Sequence, residues 1–214
     1  MLICFAKEPV PGKVKTRLTP DFTFQKASEV YTLFLRTLAK RLLELSSFPI
    51  TISSPDEEKK TLNTIFPSHF YHHTMQVGST LADRMSNAFQ EAFITHQKVI
   101  MIASDSPHLK IDEIKKAYQL LNKHDCVLGP AEDGGFWLIG LSRFDAQIFS
   151  ELHLSTEDAL EKIEKKLAAL HFKTTYVDVC SDVDTKEDLE KLLQILKKSN
   201  DITLQEFRES LTCL

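Results

Sequence analysis

Between Phe22 and Leu45 the apolar residues fall at Ala27, Val30, Tyr31, Phe34, Leu35, Leu38, Leu42 and Leu45. Steps of three and four place them on one face of a helix. The same spacing recurs from Ser79 through Leu81, Met85, Ala88, Phe89, Ala92 and Phe93, from Ile111 to Leu121, and from Lys186 to Lys197. A last amphipathic stretch begins at Thr203, and Ser155 with Asp158 forms an acidic capping box that opens a helix to Leu170. Between these stretches the pattern changes. The run Lys98–Ala103 is continuously apolar after its first residue and β-branched at Val99, Ile100 and Ile102, as in a strand covered on both faces. Leu2–Ala6, Pro49–Ser53, Phe70–Gln76, Cys126–Leu128, Phe136–Leu141 and Thr174–Val179 read as further strands. Thr19-Pro20-Asp21 reads as a turn and helix start, and Pro55-Asp56-Glu57-Glu58 as the capped start of a short helix. Strands alternating with helices predict an α/β fold with a mostly parallel sheet and helices on both faces. No repeat or linker interrupts the pattern, which predicts one domain over residues 1–214.

Composition narrows the functional classes. Hydrophobic content of 43% and charged content of 26% suit a globular chain. A net charge of −4 argues against a partner bound by overall positive charge, so no nucleic acid is expected. A local basic pocket for a small anion stays open. No apolar run approaches membrane-spanning length, and the short apolar N-terminus lacks a basic lead, so neither a membrane span nor a signal peptide is expected. The 4 cysteines are scattered without a C-x-x-C pair. Cys4, Cys126 and Cys180 beside strand-like runs read as small core residues, and the pattern predicts a reducing cytoplasm.

The candidate chemistry lies in loops that follow strands, where open α/β sheets bind ligands. The first such loop carries Lys7, Pro9, Pro11, Gly12, Lys13, Lys15 and Arg17. A glycine-containing cationic loop offers backbone N–H groups and point charges to a phosphate, though the same residues also make an ordinary solvated turn. The second loop, Ser104-Asp105-Ser106, follows the best strand; the third holds Asp182 and Asp184. Carboxylates facing a basic loop suit Mg²⁺, which takes one or two carboxylates with substrate oxygens. Each Asp equally suits a helix cap. Gly134 and Gly135 after Asp133 allow close backbone approach to a ligand, but their spacing favours a simple hairpin turn. His72 and His73, adjacent on a strand, point to opposite faces and read as unremarkable.

Five stretches together resemble a known family. Phe5-Ala-Lys-Glu-Pro-Val-Pro-Gly-Lys-Val-Lys-Thr-Arg-Leu18 is similar to the opening motif of bacterial glycosyltransferases described as a domain of unknown function, within the nucleotide-diphospho-sugar transferase superfamily. Gln76-Val-Gly-Ser-Thr-Leu-Ala-Asp-Arg-Met85 resembles its Q-x-G-x-x-L-G-x-R-M, and Ala103-Ser-Asp-Ser-Pro-His-Leu109 its G-T-D-C-P-x-L. Gly129-Pro-Ala-Glu-Asp-Gly-Gly-Phe-Trp-Leu-Ile-Gly140 resembles G-P-A-x-D-G-G-Y-Y-L-I-G, and Asp182-Val-Asp-Thr-Lys-Glu-Asp-Leu189 resembles D-V-D-T-P-E-D-L. The resemblance implies a GT-A-like, Rossmann-type sandwich and a transferase that uses a nucleoside triphosphate or nucleotide-sugar donor with a small acceptor.

It further implies roles. Lys7, Gly12, Lys13, Lys15 and Arg17 would hold donor phosphates, with Lys15 and Arg17 among the catalytic groups. Asp105 and Asp184 would be ligands of Mg²⁺ or Mn²⁺. Arg84, Asp133, Gly134 and Gly135 would lie near the base or the acceptor, and Asp133 would serve as base if the acceptor is a hydroxyl. Three departures stand out: Ala103-Ser104 replaces Gly-Thr, Leu154 stands where Trp is usual, and Asp105 has no second acid of an Asp-x-Asp pair. Glycosyl and nucleotidyl transfer both remain open, as does a non-catalytic nucleotide-binding protein on the same scaffold. The base, the acceptor and the oligomeric state are not readable from the sequence.

Overall fold

The computed structural model describes all residues except Ser46 and Ser155. The capping box expected of Ser155 therefore lies outside the described residues. Seven strands form one sheet: β1 (Leu2–Phe5), β2 (Ile50–Ser54), β3 (His72–Met75), β4 (Val99–Ala103), β5 (Cys126–Pro130), β6 (Phe136–Leu141) and β7 (Thr174–Tyr176). Their order is β3-β2-β1-β4-β6-β5-β7. All run in one direction except β6, which is antiparallel to both β4 and β5.

Seven α-helices accompany them: α1 (Phe24–Leu42), α2 (Lys60–Ile65), α3 (Leu81–Ala92), α4 (Ile111–Leu120), α5 (Ala159–Ala169), α6 (Lys186–Lys197) and α7 (Ile202–Thr212). Alternate residues of each strand feed opposite cores, as the two-residue period of a strand requires. Leu2, Cys4, Ile100 and Ile102 pack with α1, α2, α4, α6 and α7. Ile3, Val99 and Met101 pack with α3 and α5. The sheet is thus covered on both faces, the α/β sandwich that the apolar pattern predicts.

Several boundaries move for local reasons. The first helix begins after Thr23, whose side chain accepts from Lys26 N, rather than at Thr19–Asp21, and its last apolar residues form a 3₁₀ turn, Leu43–Leu45. The Pro55–Glu58 stretch does not cap α2. The Glu8 carboxylate takes that role, accepting from Thr61 N at 2.8 Å and Leu62 N at 3.0 Å. The strand expected to reach Val179 ends at Tyr176, and that expected over Phe70–Gln76 is confined to His72–Met75. The tail helix starts one residue early because Asp201 caps it, accepting from Leu204 N. Of the three cysteines read as core residues, Cys4 and Cys126 are buried and Cys180 is partly exposed.

Candidate functional site

The segment after β1 is held from three sides before it reaches the cations. Lys7 N donates to the Tyr31 hydroxyl at 3.1 Å, Glu8 N to Asp56 Oδ2 at 2.8 Å, and Ser28 Oγ to Pro9 O at 2.6 Å. Gly12 turns with φ +80°. Val14 and Leu18 then sink into the core and anchor the far end. Lys15, between them, takes a left-handed backbone with φ 46°. That region is unfavourable for a side-chain-bearing residue. It turns Lys15 inward: the side chain is 2% exposed.

There Lys15 Nζ donates to Asp105 Oδ1 and to Asp184 Oδ1, the latter at 2.9 Å. Tyr31 and Phe34 present their rings 5.9 and 5.5 Å from the ammonium, within range of cation–π attraction. Arg17 Nη1 donates to the second Asp184 oxygen at 3.2 Å. Behind Asp105, the Tyr31 and Ser104 hydroxyls are 2.7 Å apart.

Two secondary links bring the acids together. Val183 N donates to Asp105 O at 3.2 Å, and Ser106 Oγ to Ser181 O at 2.8 Å. Neither Asp105 nor Asp184 caps a helix. The N-cap of α4 is Lys110, and α6 is closed by a capping box of Thr185 and Asp188. The helix-cap alternative for both acids is therefore set aside. Burial alone would lower the Lys15 pKa; the charges of Asp105 and then Asp184 outweigh it and hold the ammonium above its ordinary value. Burial would likewise raise Asp184, but Lys15 and then Arg17 keep it below the usual carboxylate range. Asp182 lacks such a partner, and burial, followed by the charges of Asp133 and Asp184, pushes it up to about 6.

A cavity of about 1020 Å³ opens over these groups at the carboxyl ends of β1 and β4. Lys7, Lys13, Lys15, Arg17, Arg84, Asp105, Asp133, Gly135 and Asp184 all line it. Gly12 and Gly134 do not. Gly134 instead meets protein: with φ +85°, any Cβ there would stand 1.9 Å from Glu157 O. Its carbonyl accepts from Leu160 N at 3.0 Å, so it docks the β5–β6 turn on the entry to α5. Gly78 has a similar role that its sequence context did not reveal, since a Cβ there would lie 2.6 Å from the Asp83 Cβ. Asp133 is exposed, with Oδ1 accepting from Gly135 N at 2.9 Å. Tyr31 was legible only as one apolar-face residue of a helix; a buried phenol needing a partner is the signal that points to Ser104 and Lys7.

The donor set suits a hard cation. Asp105 and Asp184 offer carboxylate oxygens, and Asp105 Oδ2 accepts no hydrogen bond among the described residues. Among those residues no group of three or more His, Cys, Asp or Glu side chains forms a metal cluster. Two carboxylates completed by phosphate oxygens and water is the arrangement Mg²⁺ favours. His72 and His73 take no part, with His73 Nε2 2.6 Å from Phe66 O.

The chain can now be set beside known proteins. A family model described as "Uncharacterized protein conserved in bacteria (DUF2064)" matches residues 38–156. A crystal structure from Desulfovibrio desulfuricans G20, described as a nucleotide-diphospho-sugar transferase, is 27% identical with a TM-score of 0.88, covering 98% of this chain and 95% of that one. A 2-phospho-L-lactate guanylyltransferase of Methanocaldococcus jannaschii is 26% identical over 94% of this chain and 84% of its own length. The enzyme of the same name from Methanocaldococcus vulcanius is 24% identical over 88% and 82%. A Mycobacterium tuberculosis H37Rv protein solved with manganese shares the fold at a TM-score of 0.56 and 14% identity, covering 90% of this chain and 96% of that one.

Proposed function

Because this chain belongs to the DUF2064 family, and its relatives are transferases that handle nucleotides, we propose that it is a nucleotidyltransferase: it moves a nucleoside monophosphate from a triphosphate donor to the phosphate of a small acceptor. The observation that carries this reading is the buried Lys15 ammonium joined to Asp105 and Asp184 on the wall of a cavity that Lys7 and Lys13 also line. Neither Lys7 nor Lys13 has an ion-pair partner among the described residues. Anionic phosphates match those free charges. The guanylyltransferase names make GTP the first donor to test. Nucleotidyl transfer is preferred to glycosyl transfer because Asp105 stands without a second acid in Ser104-Asp105-Ser106.

In the reaction, an acceptor phosphate oxygen attacks the α-phosphorus of the donor. The new P–O bond forms as the α–β bond breaks, and pyrophosphate leaves with the electron pair. The transition state carries its charge on phosphate oxygens, so catalysis is positioning and neutralisation. Lys7 and Lys13 draw the donor in, and Lys15 and Arg17 stabilise the charge that builds on the leaving group. An ionised acceptor phosphate needs no general base, which leaves Asp133 to orient the acceptor. A Mg²⁺ or Mn²⁺ ion held by Asp105 and Asp184 would supply further neutralisation of phosphate charge. Among the described residues, Lys15 leaves Asp105 Oδ2 free for such an ion, whereas both oxygens of Asp184 are already engaged, by Lys15 and Arg17. The free thiols among the described residues fit a reducing cytoplasm.

Thermal-shift titration with the four nucleoside triphosphates, with and without Mn²⁺, tests the donor; pyrophosphate release with phosphorylated acceptors tests turnover. Stabilisation that needs nucleotide and metal together, with pyrophosphate release lost in Asp105→Ala, is the expected result. Metal-independent binding without turnover on any acceptor would instead make the chain a nucleotide sensor.

A further inference from the structure

Away from its cations the cavity changes character. Its far wall is built from Leu81 and Met85 of α3, Met101 of β4, Phe136 and Ile139 of β6, and Leu154. Met85, Met101 and Ile139 belong to the core under α3 and α5, so the lobe is floored by packed side chains. Leu81, in the first turn of α3, keeps 37% of its surface exposed. Arg84 follows three residues later, the spacing that makes neighbours on a helix. Its Nε donates to Gly78 O at 3.1 Å, and the guanidinium has no ion-pair partner among the described residues. The rest of its hydrogen-bonding fork remains for an anion.

The strand order tells which ligand meets this lobe. The chain reverses its direction of growth between β1 and β4, and the phosphate-binding groups cluster over that crevice. The side toward β3 is polar, with Gln76 and Ser79 on the wall. The lobe lies over β4 and β6, beyond the first turn of α3. The donor's base is edged with hydrogen-bonding groups that the polar wall can meet, whereas this lobe offers apolar side chains alone, which suits an acceptor with a hydrocarbon body. We propose that the lobe is an acceptor subsite for a phosphate monoester of an apolar molecule, its body lodged among Leu81, Met85 and Leu154 and its phosphate drawn by Arg84. The assignment rests on the nucleotidyl-transfer reading for the donor at the other end.

Binding separates the two ideas. Calorimetric titration with methyl phosphate and phenyl phosphate compares ligands with the same reactive group and different bodies. Phenyl phosphate is expected to bind about 10-fold tighter, from the added apolar area removed from water. Leu154→Trp, which fills the lobe, should lower its affinity to that of methyl phosphate. Leu81→Ser, at an exposed position that tolerates change and without a charge beside Arg84, should also reduce the preference and guards against a misfolded first variant. Arg84→Met should weaken both ligands alike. Equal affinities, or a preference that survives both lobe variants, would overturn the subsite; so would displacement of phenyl phosphate by guanosine, which would make the lobe a base pocket. Pyrophosphate release is read separately. The preference without turnover on any acceptor keeps the subsite and rejects the transferase, and turnover without the preference does the reverse.

Discussion

Two cations are buried among the described residues, and their surroundings differ. Lys15 is 2% exposed and joins Asp105 to Asp184; the Arg41 side chain is 6% exposed and joins Asp201 to the Leu109 carbonyl, 2.8 Å from Nη2. Both tie segments far apart in the chain. Around Arg41 the partners are used up. Asp201 also caps α7 through Oδ1, and neither Arg41 nor Asp201 lines the cavity over Lys15. Around Lys15 they are not: Asp105 remains 43% exposed and faces a cavity lined by further cations. Burial and ion pairing are therefore poor markers of chemistry alone. A spare oxygen and an open volume beside the pair make the difference.

The contrast can be broken most directly at Lys15. Replacing it with Met should slow pyrophosphate release by about 10²–10³-fold, the usual cost of losing one preorganised charge donor. The melting temperature should move little, since both acids reach solvent. Wild-type turnover in this variant would make Lys15 a second Arg41. The converse variant, Arg41→Met, should destabilise the fold by about 3 kcal/mol because Asp201 and the Leu109 carbonyl lose their partner. Urea unfolding reads that loss, and turnover per folded molecule should hold. A fall in turnover at unchanged stability would erase the distinction.

Acid sharpens the comparison further. His108 is held down to about 4, first by burial and then by the charge of Arg41. An unfolded histidine takes its proton near 6.5, so between pH 6.5 and 4 the unfolded chain binds more protons than the folded one. Stability should therefore fall as pH drops through that window, by up to about 3 kcal/mol from this residue. His108→Asn should flatten that slope in unfolding measured from pH 7 to 4. The smallest effect is expected at Thr185→Ala, which removes the α6 cap beside Asp184 at a cost of about 1 kcal/mol, read by thermal melting.

Much of this arrangement was legible beforehand. The unbroken apolar run at β4 and the helical spacing of α1, α3 and α6 follow directly from how strands and helices bury their sides. The reversal of β6 was legible in the Asp133-Gly134-Gly135 turn, whose spacing favours a hairpin; the insertion of β6 between β4 and β5 was not, because the apolar run Phe136–Leu141 does not name its neighbours. Nor was the capping of α2 by Glu8, which depends on a partner 53 residues away. The candidate site residues came through motif resemblance, and the structure brings most of them to one cavity. What pattern could not give is the Lys15 bridge, whose partners lie 90 and 169 residues off. Gly134 was legible as a turn residue, but not its steric debt to Glu157.

The inverted strand has a last consequence. In a sheet whose strands all point one way, no two neighbours can be joined by a tight hairpin. With β6 turned round, the end of β5 and the start of β6 share the rim of the cavity, and the turn at residues 131–135 lines it. Gly134 is fixed there by its contact with Glu157, but the exposed side chains of Glu132 and Asp133 can change without shifting any strand. Lineages that inherit this scaffold can therefore alter what they accept while leaving the machinery beneath untouched.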